Sequence, residues 1–144
     1  MPNIILNIKI NAGPEKVYKA LTHQNHLSKW WTKDCKAVPK IGSIARFNFK
    51  SADFYNVMRI IKLRPGKLVE WKCVDAGTGT SKQWVGTKVI WKISGNNKVT
   101  NLKMYHKNWK KKTQLFRDCT SGWKYYAGKS LKKYMEKGKG MPFG

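Results

Sequence analysis

The sequence predicts an α+β domain in which a run of antiparallel strands is closed by one long C-terminal helix. Three observations carry that expectation. Segments of alternating apolar and polar residues follow one another through the middle of the chain, separated by turn residues. Helical spacing appears only after the first strand and again at the end. The length, 144 residues, suits one hydrophobic core better than two, so residues 1–144 read as a single domain.

The elements follow in order. Ile4, Leu6, Ile8 and Ile10 share one face of a first strand, with Asn7 and Lys9 opposite. Asn11-Ala12-Gly13-Pro14 breaks it. Pro14 suits the first turn of a helix, Glu15 suits its positive end, and Val17, Ala20 and Leu21 give it an apolar stripe. A second short helix is expected over Asn25–Trp31. Strands are expected over Ser43–Phe49, Tyr55–Leu63 and Lys67–Val74, the second ended by the turn Arg64-Pro65-Gly66. Asp75–Ser81 reads as a loop. Gln83–Ile93 gives the strongest alternation, placing Val85, Thr87, Val89, Trp91 and Ile93 together. Ser94-Gly95-Asn96-Asn97 is a hairpin turn, and Lys98–His106 returns with Thr100, Leu102, Met104 and His106 on one face. The last helix is expected from about Thr120 to Lys137, capped by Thr120 or Ser121 and closed by Gly138 in the left-handed region. Gly122 and Gly128 inside it suggest a close approach to the sheet. Consecutive hairpins make an antiparallel sheet with one apolar face, and only the last helix is long enough to cover it. The space between the two is the natural pocket.

Composition bounds the function. Hydrophobic residues are 41% of the chain, and seven are tryptophan, so the interior is rich in indole. There are 30 Lys+Arg against 7 Asp+Glu, a net charge of +23, and four of the basic residues are arginine. Lysine is a hydrated point charge rather than a bidentate fork, so the excess reads first as a solvated surface and only then as an attraction for polyanions. Three cysteines, Cys35, Cys73 and Cys119, lie far apart and fit reduced thiols in a cytoplasmic protein. No spacing for a metal site, no cofactor motif, no signal segment and no apolar run of membrane-spanning length is evident.

The chain resembles the helix-grip superfamily of START-like domains. Within it, it is similar to the branch related to the C-terminal domain of the activator of the Hsp90 ATPase. The resemblance rests on the order and spacing of several pieces that no single one would establish. They are Pro14 through Thr22, Leu27-Ser28-Lys29-Trp30-Trp31, the Gly42–Phe49 strand, Leu68-Val69-Glu70-Trp71 and Trp84-Val85-Gly86-Thr87. Thr100 with His106, Gly122-Trp123, and Leu131 through Gly140 ending in Pro142-Phe143 complete them. It implies a curved antiparallel sheet of six or seven strands gripping the last helix, and it implies little about chemistry. The strongly basic balance is unusual for such a family.

Candidate pocket residues follow from the alternation. Phe47, Phe49, Trp71, Trp91 and Met104 face the concave side, as lining or as solid core. Trp30 and Trp31 close the second helix at one mouth of the implied cavity, and Trp123 lies on the apolar stripe of the last helix. His106 shares the face of Leu102 and Met104, either as a polar group inside the pocket or as a hydrogen-bonded core histidine. Thr100 lies about 20 Å from it along the strand, too far to pair with it. Glu70 alternates away from Trp71 and is expected in solvent, and Trp84 and Trp109 fall at strand ends or in loops where they can be exposed. Lys107-Asn108-Trp109-Lys110-Lys111-Lys112 is the best basic patch with an interleaved aromatic. No nucleic-acid motif supports a specific role for it. Carboxylates are scarce, and no catalytic constellation or nucleophile motif is present, so a binding role is expected ahead of catalysis.

The function expected is the binding of a small hydrophobic or amphipathic ligand between sheet and last helix, with the lysine excess favouring an anionic group on it. Two alternatives belong to other classes. One is a protein-interaction domain of the Hsp90 co-chaperone kind with an acidic partner. The other is polyanion binding through surface charge alone, which would fall steeply with salt.

Overall fold

Strict alternation builds the first strand, β1 (Ile4–Ile10), in a computed structural model that describes residues 2–77 and 79–144. Ile4, Ile8 and Ile10 are buried while Ile5, Asn7 and Lys9 are exposed. Helix α1 (Pro14–Thr22) starts on the preset backbone of Pro14, carries Glu15 in its first turn and buries Val17, Ala20 and Leu21. Helix α2 (Gln24–Trp30) follows after His23 alone.

The sheet then assembles from β2 (Cys35–Lys36), β3 (Ile44–Phe49), β4 (Phe54–Arg64), β5 (Leu68–Ala76), β6 (Lys88–Gly95) and β7 (Thr100–Lys107). Its seven strands run in the order β1-β7-β6-β5-β4-β3-β2, and every neighbouring pair is antiparallel. Gly95, at φ 134°, makes the β6–β7 hairpin, where any side chain would collide with the Val99 carbonyl. Two register shifts bend the β4–β5 ladder, at Val57/Met58 and at Ile60/Lys62. Short 3-10 turns occupy Lys50–Ala52 and Gly79–Trp84.

The last helix has three parts: α3 (Gln114–Tyr125), a π-helical stretch (Tyr126–Leu131) and α4 (Lys132–Lys137). It lies in the hollow of the sheet as a helix-grip fold requires. Ser130 in the π-helical stretch donates to the Trp30 carbonyl (2.7 Å) and accepts from the Met141 N–H (2.7 Å), tying helix, α2 and C-terminal tail together. Gly138 ends the helix in the left-handed region at φ 79°.

Several elements differ from expectation. The last helix begins at Gln114, because Thr113 and not Thr120 or Ser121 caps it, its hydroxyl accepting from the Phe116 N–H (3.3 Å). Thr120 instead donates to the Phe116 carbonyl (2.8 Å), one turn back inside the helix. A side chain at Gly122 or Gly128 would meet nothing within 4 Å, so neither marks a close approach. The strand expected from Gln83 starts only at Lys88: Gly86, at φ 89°, breaks the extended backbone and leaves Val85 exposed. Asp75 and Ala76 belong to β5 and Gly79–Ser81 to a 3-10 turn, while Thr78, in the expected loop, lies outside the described residues, as does Met1.

Glu70 is 7% exposed rather than solvated. It pairs across the outer face with Lys62 and Ile90, and the Lys88 ammonium stands 3.9 Å from its carboxylate, so lysine stems cover it. Trp84 and Trp109, expected at strand ends or in loops where they can be exposed, are buried at 4% and 1%. The loop carrying Trp109 folds inward against His106 and Phe116, so Trp109 is not available to stack on a nucleic-acid base.

Candidate functional site

Between sheet and helix the hollow is mostly filled. Trp30, Trp71 and Trp91 are fully buried; Trp91 meets the other two edge-on, Trp31 stacks between Trp30 and Trp71, and Trp123 packs edge-on against Trp91. The Trp30 indole N–H is spent on the Ala20 carbonyl (2.7 Å). Phe47 and Met104 complete this block, and a void of only about 10 Å³ remains beside Phe47 and Trp71. Of the nine residues expected at the pocket, Trp30, Phe47, Trp71, Trp91, Met104 and His106 therefore lie in solid interior. Packing seven indoles under one sheet fills the centre with side chains among the described residues.

The remaining three, Trp31, Phe49 and Trp123, border an open cleft of about 390 Å³ at one end of the hollow. Its helix wall is a single face of α3 and the π-helical stretch: Leu115, Asp118, Cys119, Gly122, Trp123 and Tyr126 recur at spacings of three and four. Its sheet wall is Phe49, the last residue of β3, paired with Phe54, the first of β4. The 3-10 turn supplies Ser81 and Trp84. Phe143 closes the rim because the tail pairs with the end of α2: the Phe143 N–H donates to the Trp31 carbonyl (2.9 Å) and its carbonyl accepts from the Lys33 N–H (3.0 Å). Gly122 has no side chain to fill this space, which gives the glycine a local use.

His106 organises the cleft's inner wall from behind. Its Nδ1 accepts from the Trp123 indole N–H (3.0 Å), and its Nε2 lies 2.8 Å from the Thr87 hydroxyl. That hydroxyl already donates to the Trp84 carbonyl (2.6 Å), so we assign the proton of the second contact to His106 Nε2. The ring is thus neutral with both nitrogens committed. Complete burial pushes its pKa down to about 3. It is a satisfied core histidine that fixes Trp123, not a group poised to exchange protons. Thr100, on the same face, donates to the Ala12 carbonyl (2.7 Å) and takes no part.

Cys119, on the helix wall, accepts from the Trp84 indole N–H (3.2 Å), and burial pushes its thiol up to about 12 against that bond. Burial likewise raises Cys35 to about 11 and Cys73 to about 12, so all three sulfurs are protonated thiols at neutral pH. Both cleft indoles with assigned bonds, Trp84 and Trp123, turn their N–H groups into protein. The cleft therefore offers aromatic faces and few donors, with the Asp118 carboxylate among its lining.

Sequence reasoning missed Phe54, Trp84, Leu115, Cys119, Tyr126 and Phe143. The signal for three of them was available: starting the last helix at Thr113 places Leu115, Cys119 and Tyr126 on one face with Gly122. The seating of Trp84 by a 3-10 turn and of Phe143 by the tail depends on tertiary contacts that no local pattern announces. Among the described residues no group of three or more His, Cys, Asp or Glu side chains comes together, and no helix is long and apolar enough to cross a membrane.

Comparison with known proteins agrees with the fold. The chain is similar over 97% of its length, and 100% of the other, to the solution structure of the Aha1 dimer from Colwellia psychrerythraea, at 33% identity and a TM-score of 0.84. A Staphylococcus saprophyticus protein (15% identity, TM-score 0.75, 97% of this chain and 96% of that one) shares the fold. So does one from Mesorhizobium loti (14%, 0.76, 88% and 92%). No curated protein matches the chain. The family model described as activator of Hsp90 ATPase homolog 1-like protein matches residues 11–136, and the chain belongs to that family.

Proposed function

We propose that the chain, as a single domain over residues 1–144, binds a small apolar or amphipathic ligand in the cleft between the N-terminal half of the last helix and the β3–β4 edge of the sheet. The observation that carries this is the cleft itself: about 390 Å³ walled by Trp31, Phe49, Phe54, Trp84, Trp123 and Tyr126. That volume falls within the range of small-molecule sites, and six aromatic walls suit a flat apolar body. The lysine excess lies on the surface, while among the described residues no lysine or arginine lines the cleft and its acidic residue is Asp118, so the buried part of the ligand is not an anion. An anionic group, if the ligand carries one, stays at the rim. His106 is consumed structurally and the thiols are protonated, which favours binding over catalysis, in the cytoplasm.

Native mass spectrometry of the purified protein, compared with its denatured mass, tests the reading. A retained small molecule lost on Trp123→Ala supports it. A bare mass after incubation with a mixed lipid and metabolite extract overturns it.

A second reading is favoured by the family and by likeness to the Aha1 dimer: a protein-interaction domain whose basic surface meets an acidic partner of the Hsp90 kind. Its support is the charge of +23 with lysines opposed across the outer sheet face, Lys88 to Lys107 and Lys92 to Lys103. The same lysines would hold a polyanion non-specifically. A pulldown with chaperone at low salt that captures nothing removes the protein partner.

A further inference from the structure

Asn56 is completely buried, yet neither its Oδ1 nor its Nδ2 has a hydrogen-bond partner. The indole N–H groups of Trp91 and Trp109 also lack partners, but each is a single donor, and the buried hydroxyls and imidazole of Thr22, Thr32, Thr87, Thr100, His106 and Ser130 are satisfied. Buried polar groups are nearly always paired, so an amide with both ends idle calls for a partner from outside the chain. The residues around it supply none. It pairs with Phe47 on β3 and Ala76 on β5, and Phe54 and Met58 flank it on the inner face of β4. The nearby Cys73 thiol is directed to the Asp75 carbonyl (3.2 Å).

Its position relates it to the cleft. The Phe49–Phe54 pair forms the cleft's sheet wall, and Phe47–Asn56 is the next inward-facing pair along the same two strands. Successive inward positions on a strand are about 7 Å apart, so the amide stands one row behind that wall. Phe54 between them is only half-buried. Beside Asn56 the β5 strand bulges at Val74, a distortion that recurs next to binding sites because it re-aims side chains. The cleft indoles Trp84 and Trp123 spend their donors on Cys119 and His106, so neither competes with this amide for the polar end of a ligand.

A primary amide presents an acceptor and two donors side by side. Its complement is a neutral group with N–H and C=O adjacent. We infer that Asn56 is the polar anchor at the inner end of the cleft, selecting a flat apolar ligand that carries a carboxamide or lactam. This rests on the ligand-binding function proposed above and adds the chemical class. Phe54 swings aside to admit the polar end.

The test compares 2-naphthamide with its hydrocarbon shape-match 2-isopropylnaphthalene, by equilibrium dialysis against wild type and Asn56→Leu. Wild type is expected to favour the amide over the hydrocarbon, relative to the Leu variant, by about tenfold, the size of effect that a lost buried hydrogen-bond partner gives. Asn56→Val is measured in parallel, and both variants are checked for a cooperative melt. Both are expected to fold, since each removes an unpaired buried amide. An unchanged amide-to-hydrocarbon ratio in a folded variant overturns the anchor, leaves Asn56 to a trapped water and leaves the cleft reading intact. Failure of both probes to bind wild type overturns the cleft reading and the anchor with it.

Discussion

At the scale of single residues, His106 shows how one hydrogen-bond network decides between chemistry and support. The sequence placed it correctly on the inner face with Leu102 and Met104, and left open whether it serves a ligand or the core. The assignment came from its partners: Trp123 donates to Nδ1, Thr87 accepts from Nε2, and Thr87 in turn is held by the Trp84 carbonyl. A proton added at Nδ1 would face the Trp123 N–H, so ionisation both strands a charge in the core and breaks the contact that positions a cleft wall. The consequence for stability has a definite sign. The folded pKa, about 3, lies below the ordinary 6.5, so the unfolded chain takes up the proton first on acidification. This contribution is fully present above pH 6.5 and is lost progressively as the pH falls toward 3. Between pH 7 and pH 5 the wild type should lose about 2 kcal/mol from this group. His26, lowered by burial and by nearby His23, Lys29 and Lys19, adds a smaller loss of the same sign. His106→Phe leaves the Trp123 donor without its acceptor and should cost about 1–3 kcal/mol at pH 7. Urea melts at the two pH values should show a shallower acid loss for the variant. Equal acid slopes would mean that His106 does not carry the acid sensitivity.

At the scale of elements, the sequence was most legible where one period persisted and one partner sufficed. β1, α1 and β7 emerge from alternation or from the Pro14 start, and their inner faces match. Legibility failed where a local break outweighed the pattern. Val85, Thr87 and Val89 alternate as a strand would, yet Gly86 in the left-handed region makes a turn there and β6 begins at Lys88. Glu70 alternates outward as expected, but lysine stems bury it, which alternation does not register. The candidate site suffered most from the helix start, because moving it from Thr120 to Thr113 adds the roughly two turns that carry Leu115 and Cys119 to the cleft. The cap therefore bears testing directly. Thr113→Ala removes the acceptor for the Phe116 N–H and a hydroxyl donated to the Gln83 side chain (2.6 Å), and should cost about 1 kcal/mol. Thr120→Ala removes only a bond back to a carbonyl inside the helix and should be close to neutral. Denaturant midpoints with unchanged slopes would settle the order. A larger loss at Thr120 would put the helix start where the sequence pattern first suggested.

At the scale of the whole molecule, the fold carries its charge on the outside of the grip, and the sheet's outer face concentrates it. Lys72 on β5 is exposed between two cations in register, Arg59 on β4 and Lys88 on β6, and Lys88 faces Lys107 on β7 in turn. Like charges directly opposite one another destabilise a ladder by a few tenths of a kcal/mol each. The carboxylates that relieve them are few: Glu70 stands 3.9 Å from Lys88, and the ion pairs Lys50–Asp34, Lys82–Asp75 and Lys132–Glu136 lie elsewhere. A molecule with net charge +23 held against its own repulsion should gain stability when salt shortens the screening length. The thermal midpoint is therefore expected to rise between about 10 mM and 300 mM sodium chloride, where the Debye length falls from about 30 Å to less than 10 Å. Lys72→Glu isolates the sheet's share. It converts two repulsive cross-strand contacts into attractive ones without touching the buried face, and should stabilise the protein by roughly 0.5–1 kcal/mol at low salt. In 1 M salt that gain should vanish, because the contacts are exposed and screened. A gain that persists in 1 M salt would show that Lys72 acts through packing, and a loss at low salt would show that the lysine rows are held by attractions the cross-strand register does not contain.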